Sequence, residues 1–89
     1  MIKSFKHKGL KRFFYTGSTK GIKPDHVQKI ARILDRLNAA EELKDMNYPG
    51  SGLHSLTGQR KGFHAVSVSG NWRIIFRFES GHAYDIDYL

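Results

Sequence analysis

Apolar residues along this chain change their period near residue 53. Before it they recur every three or four positions. Val27, Ile30, Ala31, Leu34 and Leu37 form one stripe while Lys29, Arg32 and Arg36 face away, which predicts an amphipathic helix over 24–40. Pro24 and Asp25 lie in its first turn, where a missing N–H and a negative charge are both favourable. A shorter helix is predicted over 8–16, packing Leu10, Phe13 and Phe14 and stopping at Gly17-Ser18. Another helical turn covers Glu41 to Met46, residues 1–5 read as a short strand, and Pro49-Gly50-Ser51-Gly52 closes the helical half. Beyond Leu53 the period is two. Phe63 to Val68 reads as a strand, Ser69-Gly70 as a turn, and Trp72 to Phe78 as the clearest strand. Trp72, Ile74, Phe76 and Phe78 share one of its faces, and Arg73, Ile75 and Arg77 the other. After Ser80-Gly81, His82 to Tyr88 pairs back with Tyr84, Ile86 and Tyr88 on one side. Trp72 is assigned to the core. The order of elements predicts an α+β fold, a compact antiparallel sheet with two N-terminal helices packed on one face.

Length and composition narrow the classes. Residues 1–89 make a single domain, without repeat, linker or low-complexity tract, and a chain of this size hides only about 60–65% of its extended surface. There is no cysteine, which excludes disulfides and thiolate metal sites. The five histidines show no His-x3-His spacing or accompanying carboxylate cluster, and Gly50-Ser51-Gly52 lacks the Lys-Ser/Thr of a phosphate loop. No metal or other cofactor is expected. Met1-Ile2-Lys3-Ser4-Phe5 lacks the apolar region of a signal peptide, and no run is long enough to span a bilayer, so a cytoplasmic chain without a membrane partner is expected.

Charge points to a polyanion. Fifteen Lys and Arg against eight Asp and Glu leave a net +7. Lys3, Lys6, Lys8, Lys11 and Arg12 crowd the first twelve residues with no acid among them, whereas Glu79, Asp85 and Asp87 follow the last cation, Arg77. Such a field concentrates nucleic acid or ribosome, and equally an acidic protein tail.

Four segments in order carry a family resemblance: Met1-Ile2-Lys3-Ser4-Phe5, Leu56-x-Gly58-x-Arg60-x-Gly62, Asn71-Trp72-Arg73-Ile74 and Asp87-Tyr88. Together they span the chain, which resembles the HigB toxins of the RelE/ParE superfamily, also labelled plasmid maintenance killer proteins. The resemblance implies a RelE-like sheet flanked by helices. It implies cutting of mRNA in the A site of the 70S ribosome and inhibition of translation. Its implied partners are a HigA-like helix-turn-helix antitoxin and, through that complex, operator DNA.

RNA cleavage without a metal drives the ribose 2′-hydroxyl onto the adjacent phosphorus. It calls for a base, a cation for the phosphorane and an acid for the leaving 5′-oxygen. Strand alternation alone makes Arg73 an exposed arginine; the resemblance assigns its permanently charged fork to the phosphate. His54, at the family's histidine position, is the candidate acid or base, or else a strand-end histidine. Asp87 and Tyr88 match the family's terminal acidic–aromatic pair as proton acceptor and donor, although Tyr88 also reads as a packed aromatic. Lys6, Lys8, Arg60, Lys61, His64 and Arg77 are candidates for RNA or ribosome contact, with His64 placed to share the concavity of His54. His7, His26 and His82 are assigned to solvent. Many relatives end in Asp-Tyr-His, whereas this chain ends Asp87-Tyr88-Leu89, and leucine transfers no proton. Two further readings therefore stand beside the nuclease: a non-catalytic toxin that binds DNA gyrase, as ParE-type relatives do, and a weakened module serving as partner or co-repressor of its antitoxin.

Overall fold

The computed structural model describes all residues, Met1–Leu89. Helix α1 spans Lys8–Thr16 and ends where Gly17 takes a left-handed φ of 79°, its N–H capping the Phe13 carbonyl. His7 caps the other end, Nδ1 accepting from the Leu10 N–H at 3.0 Å. The Pro24 stretch is a single 3₁₀ turn, Pro24–His26, that runs into α2, Val27–Ala39. A second 3₁₀ turn covers Leu43–Met46.

The remaining chain forms an antiparallel sheet in the order β1 (His54–Ser55), β2 (His64–Ser69), β3 (Trp72–Glu79) and β4 (His82–Tyr88). The two-residue turn between β3 and β4 places Ser80 and Gly81 at φ 51° and 80°, the left-handed pair that suits the twist of a tight hairpin. Residues 1–5 do not make a continuous strand. They touch β4 in parallel only at Ile2↔Ala83 and Phe5↔Ile86.

One face of the sheet is dry. Ile30, Ile33, Leu34 and Leu37 of α2, with Leu10 of α1, pack on Val66, Ile74, Phe76, Ala83 and Ile86. Ile33, at 1% exposure, takes the place in the stripe expected of Ala31, which is only half-buried. No helix is long and apolar enough to cross a membrane. The α+β architecture expected from the periodicity is present: helices on one face, an antiparallel sheet, and its other face open.

Two bulges decide which side chains reach that open face. In β4, Ile75 pairs with Asp87 but Arg77 pairs with Tyr84, so Asp85 and Ile86 together oppose Phe76. Asp85 absorbs the extra residue at φ 54°. Its N–H donates to Ser4 Oγ at 2.9 Å, and its carboxylate accepts from Arg77 Nη1 at 2.8 Å. Alternation therefore restarts. Ala83, Ile86 and Tyr88 face the helices, while Tyr84, expected beside Ile86 and Tyr88, lies across the sheet beneath the Arg77 guanidinium. In β2 the register slips between Ser67 and Ser69, leaving Val68 as the extra residue.

Candidate active site

Residues directly opposite in an antiparallel sheet point to the same face. The register His54↔Ala65, Ala65↔Ile75, Ile75↔Asp87 therefore sets His54 and Asp87 at the two ends of one row on the open face. Three strand spacings separate their backbones by about 14 Å. Between them lie Ala65 and Ile75, buried at 0% and 2% although no helix covers this face, so neighbouring side chains shield them.

The next row holds Ser67, Arg73 and Leu89. Arg73 and Leu89 exchange both backbone hydrogen bonds, at 2.7 and 3.0 Å, which fastens the carboxyl-terminal residue to β3. The half-buried Arg73 side chain is shared by two grooves. One, of about 370 Å³, is lined by His54, Ser67, Gly70, Asn71, Trp72 and Arg73. The other, of about 320 Å³, is lined by Leu56, Thr57, Gln59, Arg60 and Arg73. Neither groove is lined by a carboxylate, and Arg73 forms no ion pair. This surface suits an anionic strand.

His54 is exposed and oriented. Its Nδ1 lies 2.8 Å from the Gly52 carbonyl, which can only accept, so Nδ1 carries a proton and Nε2 is left for chemistry. Gly52 sits at φ 58°, the left-handed conformation that brings its carbonyl back to the ring. Asp87 is half-buried; its Oδ1 accepts the Tyr88 N–H at 2.9 Å, leaving Oδ2 unengaged. No three His, Asp or Glu side chains converge as a metal ion would require.

Other candidates are placed elsewhere. Tyr88 follows Ile86 onto the helix face, 6% exposed, its hydroxyl 2.5 Å from His26 Nδ1. Burial pushes its phenol above 10.0, opposed by the Lys23 backbone N–H. Tyr88 and Asp87 thus lie on opposite sides of the sheet. His64 also faces the helices, because Ala65 is what pairs with His54. Its Nδ1 lies 3.0 Å from Ser55 Oγ, its ring leans on Phe76, and burial lowers its pKa below 6.5. Arg77 is on the open face, but Glu79 at 2.6 Å and Asp85 at 2.8 Å claim its charge and raise its pKa. Lys61 is exposed at the end of the 3₁₀ turn Gly58–Arg60. Lys6 binds the β4 edge through its backbone, and Lys8 lines a separate depression with Lys11, Arg12 and Tyr15. Of the six expected contact residues, only Arg60 shares a groove with Arg73.

The histidines assigned to solvent are all at least partly buried. His26 is 4% exposed, His7 caps α1, and the buried Nδ1 of His82 has no partner. Trp72, expected in the core, is 39% exposed. It opens β3 beside the Gly70-Asn71 tip, with Tyr88 and His26 against it at 5.0 and 5.7 Å. Sequence reasoning thus missed Trp72, Asn71 and Ser67 as groove residues. The available signal for Asn71 and Trp72 was their place at the hairpin tip preceding Arg73, whereas Ser67 is brought in by its pairing with Arg73, which periodicity does not show.

A family model described as RelE-like toxin of type II toxin-antitoxin system HigB matches residues 3–89. The chain is 43% identical over 88 residues to a Proteus vulgaris protein named Endoribonuclease HigB, covering 99% of this chain and 96% of that one.

Proposed function

Because the chain belongs to the HigB-like toxins of type II toxin–antitoxin systems, we propose that it is an endoribonuclease cutting mRNA in the ribosomal A site. The observation that carries this is the open face: His54, Arg73 and Asp87 stand on adjacent rows of one sheet, with Arg73 unpaired and shared by two grooves. The name of the Proteus vulgaris relative supports the same chemistry.

A strand crossing between His54 and Asp87 lays its phosphate over Arg73. The Asp87 carboxylate takes the proton of the 2′-hydroxyl as that oxygen bonds to phosphorus. Arg73 neutralises the developing phosphorane charge. His54, protonated at Nε2 as well as Nδ1, gives its Nε2 proton to the departing 5′-oxygen. The products are a 2′,3′-cyclic phosphate and a 5′-hydroxyl. Tyr88 acts here as a positioning residue, its buried ring anchoring the segment that holds Asp87 and Leu89 on the open face. The missing terminal histidine of many relatives is not needed in this scheme.

The grooves are shallow and built largely from loop and hairpin-tip residues, so a ribosome that presents mRNA in an extended form supplies orientation the protein lacks. A HigA-like antitoxin would silence the toxin and carry the complex to operator DNA. The deciding experiment maps mRNA 5′ ends on programmed ribosomes with wild type and Arg73→Ala. Discrete A-site cuts, reduced about 10²–10³-fold in the variant, are expected. Intact message with wild-type protein refutes the proposal, and growth arrest that survives loss of His54, Arg73 and Asp87 together would favour gyrase binding.

A further inference from the structure

His54 stands on the shortest strand of the sheet, two residues long and at its edge. So brief a pairing frays unless its flanks are tied down, and both are. Downstream, Ser55 Oγ lies 3.0 Å from His64 Nδ1, and the Leu56 N–H donates to the Phe63 carbonyl at 2.9 Å. Upstream the tie is Ser51, which has no exposed surface. Its carbonyl accepts the Ser67 N–H at 2.8 Å, its own N–H donates to the Tyr48 carbonyl at 3.0 Å, and its Oγ accepts the Leu53 N–H at 3.3 Å. Ser67 in turn pairs with Arg73. One buried serine thus ties the approach to His54 to the row that carries Arg73.

At Gly52 the chain leaves this anchor, and two independent observations restrict the position to glycine. Its φ of 58° lies in the left-handed region, and an added Cβ would stand 3.3 Å from Ser67 Oγ. Packing alone does not call for this conformation. Its effect is to send the Gly52 carbonyl to Nδ1 of an exposed imidazole, 2.8 Å away. An exposed ring needs no protein partner, because water serves. A ring whose Nδ1 hydrogen is held by the main chain presents Nε2 in one fixed direction. The groove lined by His54 is also lined by Arg73 and Ser67.

We propose that the Ser51–Gly52 bend is a positioning element of the cutting reaction. It holds the His54 imidazole in its Nδ1–H form and sets the spacing between that ring and the Arg73 guanidinium. The inference rests on the nuclease reading above. Gly52 touches no substrate and acts only through His54. A proton donor works only within hydrogen-bond reach of the departing oxygen, so a bend that misplaces the ring weakens that step while leaving the phosphate contact of Arg73 in place. An unconstrained neutral imidazole prefers the Nε2–H form. The tautomer of His54 therefore reports the Gly52 contact independently of activity.

The test compares the full chain with Gly52→Ala, Gly50→Ala, His54→Ala and the double variant Gly52→Ala/His54→Ala. Gly50, at φ 83° with open space where a Cβ would go, carries the same kind of backbone cost without the His54 contact. Long-range ¹H–¹⁵N NMR above neutral pH reads the His54 tautomer, and primer extension on programmed ribosomes reads cutting. Wild type should show the Nδ1–H form. Gly52→Ala should show the Nε2–H form and a maximal rate lowered about 10–100-fold, with half-saturation by ribosomes little changed. Gly50→Ala should lose a similar margin of melting temperature yet keep the wild-type tautomer and rate. In the His54→Ala background the Gly52 change should cost less than about twofold. If Gly52→Ala does not fold, Gly52→Asn tolerates the left-handed backbone and still crowds Ser67. An Nε2–H form in a wild type that cuts, equal losses of cutting in the two glycine variants, or a full Gly52 effect without His54 would each overturn the proposal and leave the nuclease reading standing. A wild type in the Nδ1–H form that leaves message intact would refute the nuclease reading, and the role of the bend with it.

Discussion

Tyr88→Phe separates a positioning role from a chemical one. The substitution keeps the ring, and with it the packing on Trp72 at 5.0 Å, His7 at 5.5 Å and His26 at 5.9 Å. It removes one oxygen, and His26 Nδ1, inside a residue only 4% exposed, loses its partner. A buried polar group left unsatisfied costs about 1–3 kcal/mol. For a domain of this length that lowers the melting temperature by about 5–20 °C. Total stability of about 4–13 kcal/mol leaves the variant folded at 25 °C. Activity per folded molecule should then stay within about threefold of wild type, whereas removing a working general acid costs about 10²–10⁴-fold. Thermal melts by far-UV circular dichroism and primer extension on programmed ribosomes at 25 °C read the two effects separately. The double variant His26→Leu/Tyr88→Phe replaces both partners with apolar groups and should lose less than the two single losses added. An unchanged melt with a hundredfold loss of cutting would refute the reasoning and return Tyr88 to the chemistry.

Three shorter tests follow. Arg60→Gln should slow cutting about tenfold, the worth of one charge-assisted contact, whereas Arg77→Gln should change it less than about threefold. That substitution should also cost under about 1 kcal/mol by denaturant melt, because the Arg77 pairs are solvent-exposed. Burial holds the His64 pKa below 6.5, so the unfolded chain takes up this proton first as pH falls. The His64 contribution is complete above pH 6.5 and is lost as pH falls through the lowered native value. His64→Gln should therefore flatten the decline of melting temperature between pH 7 and 5, and an identical decline would refute the assignment. Asp85→Asn keeps the bulge, since an amide side chain also tolerates positive φ, and should cost about 1 kcal/mol at most by the same melt because the Arg77 pair is solvent-exposed; a larger loss would refute this.

What could be read from the sequence was whatever depends on counting within one element. The α2 stripe, the Gly17 stop and the separation of Arg73 from Ile74 and Phe76 each need only a local period, and each is present in the fold. What could not be read depends on a register or on one residue's φ. Whether His64 joins His54 is decided by the β1–β2 pairing, set by a connection that includes the 3₁₀ turn Gly58–Arg60, and periodicity does not see across it. Whether Tyr88 joins Asp87 was never open, since neighbours in a strand point oppositely. Which of the two reaches the open face, however, is decided by Asp85. Counted as a regular strand paired in the Arg77↔Tyr84 register, β4 would send Tyr84, Ile86 and Tyr88 together to the open face and turn Asp87 inward. The bulge leaves Tyr84 out under Arg77 but returns Ile86 and Tyr88 to the core and Asp87 to the open face. Asp85 is tied to Arg77 and Ser4 as well. The residue that re-phases β4 thus also holds down a cation that would otherwise compete for the strand, leaving Arg73 as the unpaired charge over the row between His54 and Asp87. A polar residue that tolerates positive φ is the sequence trace of that device, and it is too common a residue to be recognised without the register beside it.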